Sequence, residues 1–97
     1  MTKEEFAKDV TEISDMPSFN KELVISRLKK WLVSIGAGTK IFITRERSEV
    51  AGHYLETKEG ELVLSNKGSL MNLSDDIVKE VYFEVKDKVI LKLNEGS

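Results

Sequence analysis

Hydrophobic residues near the start of the chain recur at helical spacing. Phe6, Val10 and Ile13 lie at positions i, i+4 and i+7, which places them along one side of a helix. Thr2 has a glutamate three residues later, the spacing of a capping box. The pattern predicts a short acidic helix in residues 1–15. Because this helix has few apolar side chains to bury, we expect it to be loosely docked.

A longer amphipathic pattern covers residues 19–35 and predicts the second helix. Its apolar positions follow a period of 3.6 residues and are Phe19, Leu23, Val24, Leu28, Trp31, Leu32 and Ile35. Ser18, which follows Pro17, is the expected N-cap. Gly36 comes directly after the pattern, as is typical of a residue that ends a helix.

The remainder, residues 39–93, contains β-branched and aromatic residues in short runs and predicts an antiparallel sheet. The predicted strands are Lys40–Thr44, Glu49–Thr57, Glu61–Ser65, Ile77–Val85 and Val89–Leu93. Tight turns are expected at residues 58–60, 66–68 and 86–88. Gly52 within the second strand indicates a bulge or a sharp bend.

These elements predict an α+β fold with two N-terminal helices followed by a five-stranded antiparallel meander. A flat sheet of five short strands would leave two open edges. We therefore expect the sheet to be strongly bent or to form a small open barrel around the second helix. In the order and length of its elements, this outline resembles the SH3-like and Sm-like small barrels.

The composition is consistent with one domain. The chain has 97 residues, of which 40% are hydrophobic and 33% charged, enough for a single core. It has no cysteine, which excludes disulfides and thiol ligands and favours a cytoplasmic location. No run of residues approaches the roughly 20 apolar residues of a membrane-spanning helix, so we expect no membrane partner.

The sequence contains no recognisable catalytic or metal-binding motif. His53 is the only histidine, and without cysteine or a second histidine it has no usual co-ligand for zinc. It is interpreted as an exposed or hydrogen-bonded strand residue. The adjacent Asp75 and Asp76 are interpreted as turn residues before a strand. We therefore expect no catalytic residue, metal or cofactor.

Charge is distributed unevenly along the chain. The net charge is −2, but residues 21–47 carry seven basic residues against two acidic ones. We hypothesise that basic residues of this segment, with one tyrosine, form an open partner-binding surface: Arg27, Lys30, Lys40, Arg45, Arg47 and Tyr54. In the competing interpretation, acidic residues of the first helix, Glu49 or Glu56 cover these cations in ordinary salt bridges.

The leading functional prediction is a non-enzymatic binding or regulatory module that acts through protein–protein contact or self-association. The first alternative is a nucleic-acid-binding small barrel, in which Phe42 and Tyr54 stack bases beside the basic residues. The negative net charge disfavours it. The second alternative is a small enzyme or enzyme subunit with an unrecognised site of carboxylates and His53.

Trp31 lies on the apolar stripe of the second helix, so we predict that it is a core residue. Trp31→Ala is expected to lower the free energy of unfolding by about 3–5 kcal/mol, because it removes a large buried side chain. Urea denaturation measures this value. A loss below about 1 kcal/mol would instead indicate an exposed tryptophan.

Overall fold

A computed structural model of the protein describes residues 1–36, 40–46 and 48–95. Those residues form three helices and a four-stranded antiparallel sheet, which confirms the predicted α+β class. The helices are α1 (Lys3–Ser14), α2 (Lys21–Ser34) and α3 (Asp75–Glu95). The strands are β1 (Lys40–Phe42), β2 (Tyr54–Lys58), β3 (Glu61–Leu64) and β4 (Gly68–Ser69), and a 3-10 turn at Leu70–Asn72 leads into α3.

The ends of the first two helices follow local sequence signals. The Thr2 hydroxyl accepts a hydrogen bond from the Glu5 amide at 3.0 Å, which confirms the predicted cap of α1. The N-cap of α2 is Asn20 rather than Ser18, because the Asn20 side chain accepts the Leu23 amide at 3.1 Å. Gly36, with φ of +67°, follows the last turn of α2 as predicted.

The strands predicted at Ile77–Val85 and Val89–Leu93 are wrong, since both lie within α3. Four fully buried valines follow a spacing of three and four residues along this helix: Val78, Val81, Val85 and Val89. The turn predicted at 86–88 is a helical turn. The pattern was ambiguous because this segment has apolar residues at both odd and even positions, so alternation and helical periodicity fit the same residues.

The four strands lie in the order β1-β2-β3-β4, and in the described residues this sheet is not closed. The SH3-like or Sm-like barrel is therefore not confirmed. Ile41, Leu55 and Leu64 lie side by side across β1, β2 and β3 and are buried. They join one hydrophobic cluster with residues of all three helices. The residues on the opposite face of the sheet, among them Phe42 and Tyr54, are exposed or half-buried.

The predicted strand Glu49–Thr57 is shorter than expected, because β2 begins only at Tyr54. The preceding residues form a turn that contains Gly52, whose φ of +83° confirms the predicted bend. The Gly52 amide donates to the carbonyl oxygen of Ile43 at 2.9 Å, and the Ile43 amide donates to that of His53 at 2.9 Å. The predicted start of the sheet at Thr39 lies outside the described residues.

Helices α1 and α2 form an antiparallel pair held by a buried carboxylate. Asp9 Oδ2 accepts hydrogen bonds from Trp31 Nε1 at 3.0 Å and from Lys30 Nζ at 2.8 Å. Phe6 packs edge-on against the Trp31 ring, with 4.8 Å between the ring centroids. Trp31 itself is fully buried, which confirms it as a core residue.

The environment of Asp9 favours its charged form. Burial by itself raises the pKa of the Asp9 carboxyl. The hydrogen bonds from Lys30 and Trp31, with the positive charges of Lys30 and Arg27, outweigh burial and hold the pKa below its ordinary value. A lowered pKa means that the folded state binds fewer protons than the unfolded state. This contribution to stability is therefore present at neutral pH and is lost as the pH falls through the folded pKa.

Asp9→Asn is expected to lower the free energy of unfolding at pH 7 by about 1–3 kcal/mol, because it leaves partly buried cations without their counter-charge. Urea denaturation provides the measurement. The matched control is Glu12→Gln, which removes an exposed carboxylate 3.2 Å from Arg27 and should cost no more than about 1 kcal/mol. The difference in the free energy of unfolding between wild type and Asp9→Asn should become smaller below about pH 4. An equal loss of stability in the two variants, or a stability difference between wild type and Asp9→Asn that does not depend on pH, would contradict the stabilising role of the charged Asp9 carboxylate.

Candidate binding surfaces

The open face of the sheet carries two aromatic side chains that lie side by side. Strand alternation turns Ile41 and Leu55 into the core and their neighbours Phe42 and Tyr54 outward. Phe42 is 46% exposed and Tyr54 is 40% exposed. Their ring centroids are 5.0 Å apart, and the ammonium of Lys40 lies 4.3 Å from the centre of the Tyr54 ring. The three side chains form the surface that we call the sheet platform.

One negative charge lies next to the sheet platform and is already paired. Glu56 is the cross-strand neighbour of Lys40, but its carboxylate lies 3.4 Å from Lys58 Nζ. Lys40 makes no salt bridge within the described parts of the chain. Its charge is therefore directed over the Tyr54 ring and remains available to a partner.

Arg27 and Lys30 face α1 rather than a free surface. Arg27 lies 3.2 Å from Glu12 and 3.6 Å from Asp9, and Lys30 lies 2.8 Å from Asp9. A cleft of about 280 Å³ between α1 and α2 is lined by these residues together with Glu5 and Lys8. Both cations are thus paired by the acidic first helix.

Arg45 lies against α3, apart from the sheet platform. Its guanidinium is 5.6 Å from the centre of the Phe83 ring and 3.6 Å from the Asp87 carboxylate. Arg47 lies outside the described residues. Of the six residues predicted from sequence, the structure brings together Lys40 and Tyr54, places Arg27 and Lys30 against α1, and places Arg45 against α3.

The segment that carries Arg45 is attached to α3 by two glutamates one helical turn apart. The buried Glu84 carboxylate accepts the amide of Thr44 at 2.9 Å, and the Glu80 carboxylate accepts the hydroxyl of Ser48 at 2.9 Å. The same hydroxyl accepts the amide of Val50 at 3.0 Å. Side chains of α3 thus satisfy backbone and side-chain donors that the sheet leaves without partners.

His53 has a structural hydrogen bond. Its Nδ1 lies 2.6 Å from the carbonyl oxygen of Ser65, so the ring N–H donates to the end of β3. The Tyr54 amide donates to the Ser65 hydroxyl at 2.9 Å, which joins the same two segments. His53 is hydrogen-bonded, as interpreted, but it lies just before β2 rather than within a strand. Within 1–36, 40–46 and 48–95, no group of three His, Asp or Glu residues is placed to hold a metal ion.

A second candidate surface was missed from the sequence. An apolar cleft of about 200 Å³ lies between α3, the end of α1 and the segment that joins α1 to α2. Its lining residues are Ile13, Ser14, Phe19, Lys79, Tyr82, Phe83 and Lys86. The four residues from α3 share one helical face only because residues 77–93 are helical. In the predicted strand Ile77–Val85, Tyr82 would have faced the side opposite to Lys79 and Phe83, and Lys86 would have lain in the turn that follows.

Comparison of the chain with protein-family models, with curated proteins and with solved structures found no match. None of the described helices combines the length and the hydrophobicity that crossing a membrane requires.

Glu84→Ala is expected to leave the Thr44 amide without its acceptor and to loosen residues 43–46 and 48–53. The free energy of unfolding should fall by about 1–3 kcal/mol, and amide exchange at Thr44 should accelerate. Hydrogen exchange followed by NMR measures both effects. The control is Asp87→Ala, which removes the exposed partner of Arg45 and should change stability by less than about 0.5 kcal/mol. Unchanged exchange at Thr44 in Glu84→Ala would contradict the anchoring role.

Proposed function

We propose that this protein is a non-enzymatic binding module that contacts a protein partner through the sheet platform of Lys40, Phe42 and Tyr54. The observation that carries the proposal is the exposed aromatic pair beside an unpaired lysine. Tyrosine and phenylalanine are enriched in the cores of protein interfaces, where they supply large contact areas. The complementary partner surface presents an apolar group to the rings and a carboxylate to Lys40.

Mutual packing prepares the sheet platform for binding. Phe42 and Tyr54 face each other on paired strands, and Lys40 lies over the second ring, so each side chain restricts the others. Ordering flexible side chains costs about 0.5–1.5 kcal/mol for each one immobilised at an interface. Rings that are already ordered avoid part of this cost.

A protein partner fits this surface better than a nucleic acid. Binding of single-stranded nucleic acid combines stacking with a continuous positive groove along the backbone. Here the net charge is −2, and Arg27, Lys30 and Arg45 each lie within 4 Å of a carboxylate. One lysine without a salt bridge, beside two rings, provides little positive charge to bind the phosphates of a nucleic-acid backbone. Self-association through the same platform is a form of the proposed protein contact.

The test compares wild type with the double variant Phe42→Ala/Tyr54→Ala in capture of proteins from a lysate of the source cells. The matched control is Val33→Ala/Leu91→Ala, which removes two apolar side chains that are 82% and 63% exposed outside the sheet. Captured proteins are quantified by mass spectrometry, with and without nuclease, and the affinity of each purified candidate is then measured. Circular dichroism verifies the fold, and sedimentation equilibrium measures self-association of each variant.

A direct partner, or a second copy of the chain, should bind wild type and the control alike and lose at least about tenfold in affinity for the double variant. Binding that disappears after nuclease treatment would instead indicate a nucleic-acid platform. An identical set of partners and affinities for all three proteins would show that the aromatic pair only stabilises the sheet.

A further inference from the structure

We propose that the cleft between α3, the end of α1 and the α1–α2 connection is a second binding site, for an acidic peptide segment of a partner protein that inserts one apolar side chain. This site lies on the helical side of the molecule and does not depend on the sheet platform. We call it the helical cleft. Its size, its aromatic lining and its two unpaired lysines each constrain the ligand.

The helical cleft has the size and lining of a pocket for a single side chain. Its volume of about 200 Å³ lies below the roughly 300–1,000 Å³ typical of sites for drug-sized molecules. The rings of Tyr82 and Phe83 lie 5.3 Å apart, and Phe19 and Ile13 contribute partly buried apolar surface. Burial of one large apolar anchor in such a pocket is a common way in which a partner gains most of its binding energy.

Two lysines give the helical cleft its charge. Lys79 Nζ lies 5.2 Å from the centre of the Phe19 ring, and Lys86 Nζ lies 5.0 Å from that of Phe83. Neither lysine forms a salt bridge with an acidic residue of the described chain. By contrast, Lys21, Lys58 and Lys88 each have a carboxylate within 4 Å.

An apolar pocket bordered by unpaired cations is complementary to an apolar side chain bordered by carboxylates. Because the protein as a whole is negatively charged, this local positive charge does not follow from its composition. The spacing of Lys79 and Lys86, two helical turns apart on α3, allows them to contact acidic residues on either side of the anchor. An extended or helical acidic segment therefore fits better than a small molecule with a single charge.

The experiment selects short random peptides, displayed on phage, against the purified full-length protein. Enriched peptides are synthesised, and their affinities are measured by fluorescence anisotropy. The test variant is Lys79→Glu/Lys86→Glu. The matched control is Lys67→Glu/Lys92→Glu, which makes the same change in net charge at two exposed lysines outside the cleft. Peptide-induced shifts of amide NMR signals locate the bound peptide on the protein.

Enriched peptides should place an aromatic or large aliphatic residue next to acidic residues, and their amide shifts should cluster at the helical cleft. Affinity should fall at least about tenfold in the cleft variant, because attraction at two positions becomes repulsion. It should change by less than about threefold in the control, where only the long-range field differs. The neutral pair Lys79→Gln/Lys86→Gln should give an intermediate loss and tests the charge contribution with less perturbation of α3.

Several results would overturn the proposal. These are the absence of any enriched peptide, enrichment of peptides without acidic residues, equal losses in the cleft variant and its control, or shifts that map elsewhere. Decanoate serves as a second probe. If decanoate shifts the amide signals of the helical cleft and no acidic peptide does, the ligand is a free amphipathic carboxylic acid instead. Phe42→Ala/Tyr54→Ala should retain peptide binding, so failure of one proposed site is distinguishable from failure of the other.

Discussion

Burial of one valine stripe on α3 is the constraint on which most of this structure depends. The stripe is Val78, Val81, Val85 and Val89, and all four side chains are fully buried. Each contributes roughly 1.5–3 kcal/mol when it is removed from water. Once this stripe faces the core, the direction of every other residue on the helix is determined. Glu80 and Glu84 then face the segment after β1, while Tyr82 and Phe83 contribute to the helical cleft.

Two buried carboxylates complement this packing. Asp9 connects α1 to α2 through Trp31 and Lys30, and Glu84 connects α3 to the backbone at Thr44. Each carboxylate accepts hydrogen bonds from another part of the chain, and these bonds compensate for the cost of its burial. Without the carboxylate, the donor groups would lack an acceptor as well. These contacts join α1 to α2 and join α3 to the segment that follows β1. Their hydrogen bonds fix the orientation of the elements, whereas the packing of the apolar core is not directional.

The pairing of charges changes which residues are available for binding. Arg27, Lys30 and Arg45 are prominent in the sequence, yet each lies close to a carboxylate. Lys79 and Lys86 occur in an acidic part of the chain, yet neither has a carboxylate partner in the described structure. Local charge balance along the sequence is therefore a poor guide to the charge that a partner meets, because tertiary packing determines which opposite charges come within a few ångströms.

The sequence by itself determined the features that depend on neighbouring residues. These include the cap at Thr2, the end of α2 at Gly36 and the turn after β2, where Glu59 and Gly60 both have positive φ. Capping and turn geometry require only a few consecutive residues, so they can be predicted from a short window. Strand alternation is local and places Phe42 and Tyr54 on outward positions, but their pairing depends on the register of β1 against β2.

Tertiary structure alone decided the state of residues 77–93 and the partners of the charged side chains. The β-branched residues of that segment fit either a strand or a helix, and only packing against the rest of the core selects the period of 3.6 residues. The antiparallel arrangement of α1 and α2 likewise brings Asp9 to Lys30, which lies 21 positions away in the sequence. Such contacts arise from the relative placement of whole elements, which no short window of sequence contains.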